Sequence, residues 1–332
     1  MMSFPTNAGA ARCAARIAAL AASLALIAGC SGASSTVFTE PAQSQSLQAL
    51  TYVNAGIVGR LYASDGDQGL IYVFGEPVSK ANPIRHFGPF SSPISIATDA
   101  VGNVYVPDWG NSPYDGHVYV TAPGRNTPFL TLDDSGALPS DLAVDAAGTV
   151  YVANGYDQQG CGAGDVRVYP KGATTAAYTI CDSAIGQPYS QVNGVAVDSK
   201  GDVFVTWENG SYTGGLVHEF TPGPHFTGHF LPPKFKYPSA IAIDSANNIV
   251  VSDVEAPAVE VFSPGAKRLK YSFARTGDPL HVAFDATQAH LFVADAIANQ
   301  IGEYEYATGT LVNSIAFPGA QLDGVAVSPK AP

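Results

Sequence analysis

Short apolar runs separated by Gly, Pro, Asn and Asp fill the chain from about position 60 onward. Few are long enough to make a helix, and many alternate with polar residues as half-buried strands do. Five segments, ISIATDAVG, DLAVDAAG, NGVAVDSKG, AIAIDSANN and HVAFDATQ, share one apolar core, and a sixth copy, LDGVAVSPKAP, ends the chain. Aligned on that core they are residues 96–99, 142–145, 195–198, 241–244, 282–285 and 325–328, spaced 41 to 53 residues apart. A second strand-like run follows each of the first five, at 104–108, 150–154, 203–207, 249–253 and 291–295; the sixth sits at the other end of the chain, at 61–65. Third runs fall at 70–74, 117–120, 165–169, 215–220, 258–262 and 301–305. Weaker fourth runs fall at 83–87, 128–131, 176–180, 227–231, 269–273 and 311–317.

Four short strands repeated six times at about 45 residues is the period of propeller blades. The pattern therefore predicts an all-β, six-bladed β-propeller over residues 53–332, with four antiparallel strands per blade. The last copy has no strand after it, so 325–328 must pair with 61–65 and close the ring, which leaves neither terminus as an open edge in the core. The Asp-x-x-Gly steps (Asp99/Gly102, Asp145/Gly148, Asp198/Gly201) read as turns in which Asp bonds nearby backbone and Gly supplies positive φ. Asp65, Asp108, Asp253 and Asp295, ending second strands, read as turn chemistry too.

Residues 1–29 stand apart from the repeat. Arg12 and Arg16 precede a 13-residue apolar run, 17–29, too short for a permanent bilayer span and typical of a secretory signal. It ends in LIAGC, which resembles the lipobox of bacterial lipoproteins. The resemblance implies cleavage before Cys30, lipid attachment to that sulfur, and outer-membrane sorting because Ser31, not Asp, follows it. Residues 30–52 then form the lipidated N-terminus and a Ser/Gln/Ala-rich tether. Removing Arg12 and Arg16 with the signal leaves 14 basic against 28 acidic side chains, a formal charge of −14. So acidic a surface excludes nucleic acid as the expected partner. The membrane partner is reached through the lipid, and the expected state is a monomer.

NGVAVDSKGDVFV and DLAVDAAGTVYVAN resemble the NHL repeat, and the likeness runs over residues 60–329. The Asn-Arg-Ile that commonly follows in that repeat is missing; NQIGEY (299–304) and PAVEVF (257–262) stand nearest to it. NHL-like propellers include binding scaffolds, streptogramin lyases and relatives of regucalcin and gluconolactonase, so the fold does not choose the function. In such a ring the connections into first strands and the loops between second and third strands share one face, where ligands approach the channel. Those loops are predicted to be 4, 8, 10, 7, 4 and 5 residues long in blades 1 to 6. The long ones, in blades 2 to 4, carry Trp109, Tyr114, Tyr156, Trp207 and Tyr212, an aromatic arc suited to stacking a sugar or other flat ligand. The leading expectation is thus an envelope-anchored module that binds a glycan, peptide or partner protein.

The alternative is a cation-dependent lactonase or lyase. Asn193-Gly194 and Asp323-Gly324 precede inner strands of blades 4 and 1 and resemble the positions holding a divalent cation, Ca²⁺ or Mg²⁺, in regucalcin-like lactonases. The family places its N-G and D-G blades side by side, whereas these face each other, and two oxygen ligands fall short of the six to eight that Ca²⁺ takes. No cofactor follows from the residues by themselves. His281, near the predicted channel mouth, is the candidate for proton transfer. A second group, His218, His225 and His229 in VHEFTPGPHFTGHF, would share a sheet face if the hairpin turns at Pro222-Gly223. Of four cysteines, Cys13 leaves with the signal and Cys30 takes the lipid. Cys161 and Cys181 remain for a disulfide across the blade 3 loop, in keeping with an oxidising envelope. No P-loop, nucleophile elbow, HExxH or paired CxxC is present.

Overall fold

The computed structural model describes residues 59–75, 82–158, 161, 164–181, 191–208, 214–221, 225–230, 235–266, 268–275 and 277–328, with backbone alone over 225–230 and at 266. The expected leader, Cys30 and the tether lie outside these residues, as does Tyr212. The described chain forms six four-stranded antiparallel sheets, the six-bladed β-propeller read from the repeat.

Blade 1 uses β1 (Arg60–Asp65), β2 (Leu70–Gly75) and β3 (Arg85–Phe87). Blade 2 follows with β4 (Ala97–Thr98), β5 (Val104–Asp108), β6 (Asp115–Thr121) and β7 (Leu130–Ser135). Blade 3 has β8 (Ala137–Val144), β9 (Val150–Asp157), β10 (Asp165–Tyr169) and β11 (Tyr178–Cys181). Blade 4 has β12 (Gln191–Val197), β13 (Val203–Glu208), β14 (Gly215–Thr221) and β15 (His225–Phe230). Blade 5 has β16 (Pro238–Ile243), β17 (Ile249–Asp253), β18 (Ala258–Phe262) and β19 (Leu269–Phe273). Blade 6 has β20 (Pro279–Phe284), β21 (His290–Asp295), β22 (Gln300–Glu305) and β23 (Thr310–Ala316). The last strand, β24 (Leu322–Ser328), returns to blade 1 and pairs with β1, Leu61 opposite Val327 and Ala63 opposite Val325.

The hydrophobic residues divide into six clusters, each between two neighbouring blades. Side chains alternate faces along a strand, so β1 sends Leu61 and Ala63 toward blade 6 and Tyr62 toward blade 2. A blade buried on both faces needs apolar residues at successive positions, and VYV, VFV and IVV in the second strands answer that need. The turn aspartates behave as expected. Asp99 Oδ1 accepts from Val101 N and Asn103 N, and Asp145 and Asp198 repeat the pattern. The aspartates that end second strands also clamp the segment arriving at their own inner strand. Asp108 accepts from Ser91 N and Ser92 N, Asp253 from Lys236 N and Tyr237 N, and Asp65 from Ala320 N.

Candidate functional site

Two places on the molecule concentrate polar and aromatic groups: the axis of the ring and the loop-bearing face of blades 2 to 4. At the axis, the residue just before each aligned inner-strand core is Ser95, Asp141, Gly194, Ala240, His281 or Gly324. Four of these six are small or lack a side chain, so the remaining long ones can meet. Ser95 Oγ donates to Asp141 Oδ1 at 2.8 Å, and His281 Nε2 lies 3.1 Å from the same oxygen and 3.0 Å from Ser95 Oγ. Val195 N donates to Asp141 Oδ2 at 3.2 Å, and Val325 N donates to His281 Nδ1 at 3.4 Å. Two side chains thereby join blades 1, 2, 3, 4 and 6.

The glycines at this level are required by space. A Cβ on Gly324 would stand 2.9 Å from Ser95 Cα, and one on Gly194 would stand 2.7 Å from Ser239 O. The Val325 contact fixes the chemistry of His281, because an Nδ1 that accepts a hydrogen bond leaves the ring proton on Nε2, toward Asp141. No basic nitrogen then faces Ser95 Oγ, so the trio is not a serine–histidine relay.

Asn193 and Asp323, one position earlier, are not brought together as ligands. Asn193 Nδ2 donates to Pro238 O at 3.0 Å, a strut from blade 4 to blade 5. Ser140 Oγ to Val192 O and Ser239 Oγ to Leu280 O make the same link between blades 3 and 4 and blades 5 and 6. Asp323 accepts from Gly66 N at 2.7 Å and from Gln321 Nε2 at 2.8 Å, within its own blade. The structure thus engages both residues in holding the ring.

A different acidic group lies in blade 3, where Asp157, Cys161 and Asp165 offer ligand atoms within 4.8 Å of one another. As a cation site it is compromised on two counts. Cys161 is bonded to Cys181, the disulfide expected from the sequence. The place of a cation is held by the Arg167 guanidinium, 2.9 Å from Asp157, 3.3 Å from Asp134 and 3.5 Å from Asp165. Burial pushes Asp165 up to about 8 and Asp134 up to about 6.

The loop-bearing face differs from expectation in its aromatic groups. Trp109 is 7% exposed and donates from Nε1 to Pro139 O of blade 3, at 2.8 Å. Trp207 is 3% exposed, packed in the cluster between blades 3 and 4 with its ring edge-on to His218. Neither indole presents a face on which a ligand could stack: Trp207 lies within β13 and packs between blades 3 and 4, and Trp109, just past the end of β5, is held against blade 3 by its bond to Pro139 O. Strands β6, β9 and β13 run further than their apolar cores suggested. The loops shorten accordingly to 6, 7 and 6 residues in blades 2 to 4, bounded by the strands above. Tyr114 and Tyr156 remain half-buried. They stand on a laced platform, since Gly136 N donates to Tyr114 O and Gln158 N donates to Gly136 O, both at 2.8 Å. Of the expected histidine group, the register puts His218 opposite Phe230 and His225 opposite Thr221. The His218 ring is buried, which lowers it to about 4. The side chains of His225 and His229 lie outside the described residues.

Sequence reasoning placed His281 correctly near the axis and missed Ser95 and Asp141. It looked for axial groups one residue early, at Asn193 and Asp323. The next column, with Ser95, Asp141 and His281 among glycine and alanine, carried the signal.

No family model matches the sequence, and no relative is found among curated proteins. Solved structures do resemble it. A protein of unknown function from Bacteroides caccae superposes with a TM-score of 0.62 at 12% identity, covering 81% of this chain and 98% of that one. The nidogen/laminin complex gives 0.64 at 17%, covering 81% and 98%, and streptogramin B lyase gives 0.51 at 17%, covering 70% and 71%. At these identities the likeness is one of fold: the chain is a six-bladed β-propeller resembling those of the NHL and streptogramin-lyase type. That fold suits a binding module and a lyase alike.

Proposed function

We propose that this protein is an envelope-anchored binding module that holds a partner protein on the loop-bearing face of blades 2 to 4, tethered through a lipid on Cys30. The observation that carries the reading is how firmly that face is built. The β8–β9 hairpin pairs as far as Ala137 with Asp157, a disulfide fastens the adjoining loop to β11, and backbone bonds lace the loops of blades 2 and 3 through Gly136. Backbone held in one shape before a partner arrives, as the described residues of blades 2 and 3 are here, loses less freedom on binding, which is how preorganisation raises affinity. With both indoles buried, the face has lost its best platform for a sugar. Half-buried tyrosines beside exposed Asn111, Ser112, Pro113 and Gln158 are the kind of surface that protein partners use. A propeller of similar fold appears in a complex of two proteins, nidogen and laminin, which supports the reading at the level of fold.

A photo-crosslinking amino acid placed at Tyr156, compared with one at Val101 in the turn between β4 and β5, tests this in cells. Val101 is 69% exposed and lies on the opposite face. The expected result is a discrete protein adduct from position 156 that position 101 does not give. The same adducts from both positions, or none from 156, would overturn the proposal.

A further inference from the structure

The axis of the ring also holds a cavity of about 220 Å³. Its walls run from Asp141 and His281 at the loop-bearing end to Thr98, Val144, Val197, Phe284 and Val327 at the turn-bearing end. An apolar cavity of about 150 Å³ accommodates benzene, so this space takes one six-membered ring with a short arm. Each wall strand is the terminal strand of its sheet, and its free edge turns backbone carbonyl and amide groups toward the axis.

Charge selects the head of the ligand. His281 Nδ1 accepts from Val325 N, which turns Nε2 toward Asp141. Asp141, 4% exposed, has about four acceptor positions. Three are used, by Ser95 Oγ, His281 Nε2 and Val195 N. Among the described residues no Lys or Arg pairs with it. A carboxylate with one open acceptor position and no Lys or Arg beside it therefore closes one end of a space walled by backbone edges and apolar side chains. Such a group is costly to bury alone and strongly favours a cationic donor.

We infer that the axial cavity binds a small primary ammonium ion on a compact apolar body. The ammonium sits on Asp141, its other protons reach carbonyls on the free strand edges, and the body lies against the inner-strand side chains. This site is separate from the loop face and does not depend on the partner-protein reading.

Calorimetric titration of the full chain in detergent with benzylamine, benzyl alcohol and ammonium chloride tests it. Benzylamine should bind at least about tenfold more tightly than either of the others, since one lacks the charge and the other the body. Asp141→Asn should weaken benzylamine at least about tenfold, and Ala143→Leu, which fills the cavity from the wall and leaves Asp141 in place, should abolish binding. If Asp141→Asn does not fold, Ala143→Leu decides by itself. Equal affinity for benzylamine and benzyl alcohol, unchanged affinity in Ala143→Leu, or no benzylamine binding up to about 10 mM would each overturn the inference.

Discussion

Replacing Asp165 by Asn should flatten the dependence of stability on pH. Asp134, Asp157 and Asp165 surround the single guanidinium of Arg167, so one positive charge faces three carboxylates in a buried space. Desolvation is the main cause that pushes Asp165 up to about 8, with the neighbouring Asp157 charge adding to it, and desolvation likewise takes Asp134 to about 6. Each folded-state value is raised above the unfolded one, so the folded protein keeps a proton that the unfolded chain releases. The stabilisation is complete below about pH 4 and is lost as pH rises through about 6 for Asp134 and about 8 for Asp165. His218 works in the other direction: burial lowers it to about 4, so its contribution is complete above about pH 6.5 and lost in acid. Between pH 6.5 and 8 the Asp165 proton is the one of these three still being lost. A single proton difference changes stability by about 1.4 kcal/mol per pH unit, or about 2 kcal/mol across this window. That is several degrees in melting temperature for a domain of this size. Asn reproduces the protonated carboxyl and cannot ionise. Urea melts at pH 6.5 and 8 should show wild type losing about 2 kcal/mol and Asp165→Asn losing less than about 0.5 kcal/mol. A variant that keeps the wild-type slope refutes the assignment of the buried proton to Asp165.

Two further outcomes follow from the same geometry. Replacing Cys161 and Cys181 together with Ser opens a loop whose ends are 20 residues apart, and should lower unfolding free energy by about 3 kcal/mol in a urea melt; no loss would mean the closed loop does not constrain the unfolded chain. Asn193→Ala should cost about 1 kcal/mol through the lost bond to Pro238 O, while EDTA leaves the melting temperature of wild type unchanged. A fall of several degrees with EDTA that Asn193→Ala abolishes would replace the strut with a metal ligand.

The repeat was legible because ring closure imposes the same burial on every blade. Second and third strands lie within a residue or two of their apolar cores in blades 1, 5 and 6, where loops are short and nothing extends them. Blades 2 to 4 departed because β6, β9 and β13 continue through polar residues such as Asp115, Asp157 and Glu208, which pairing and buried polar partners accommodate. A hydrophobic pattern cannot register that continuation. The misjudged tryptophans have another cause: Trp207 already closed its expected strand and Trp109 follows β5 at its expected end, and a linear pattern does not show that one ring turns into the cluster between blades 3 and 4 and the other toward Pro139 O.

The axial cluster was hidden for a different reason. Ser95, Asp141 and His281 are 46 and 140 residues apart in sequence, and each looks like an ordinary residue at the start of a strand. What identifies them is a comparison across blades at one level of the ring, where Gly194, Ala240 and Gly324 stand in the equivalent places. In a closed ring the six positions nearest the axis compete for one small volume. A long polar side chain there needs small residues opposite, and Gly324, with no room for a Cβ beside Ser95, meets that need. The chemistry at the centre of such a protein is therefore written in a column of the repeat, long against short, and not in any contiguous motif.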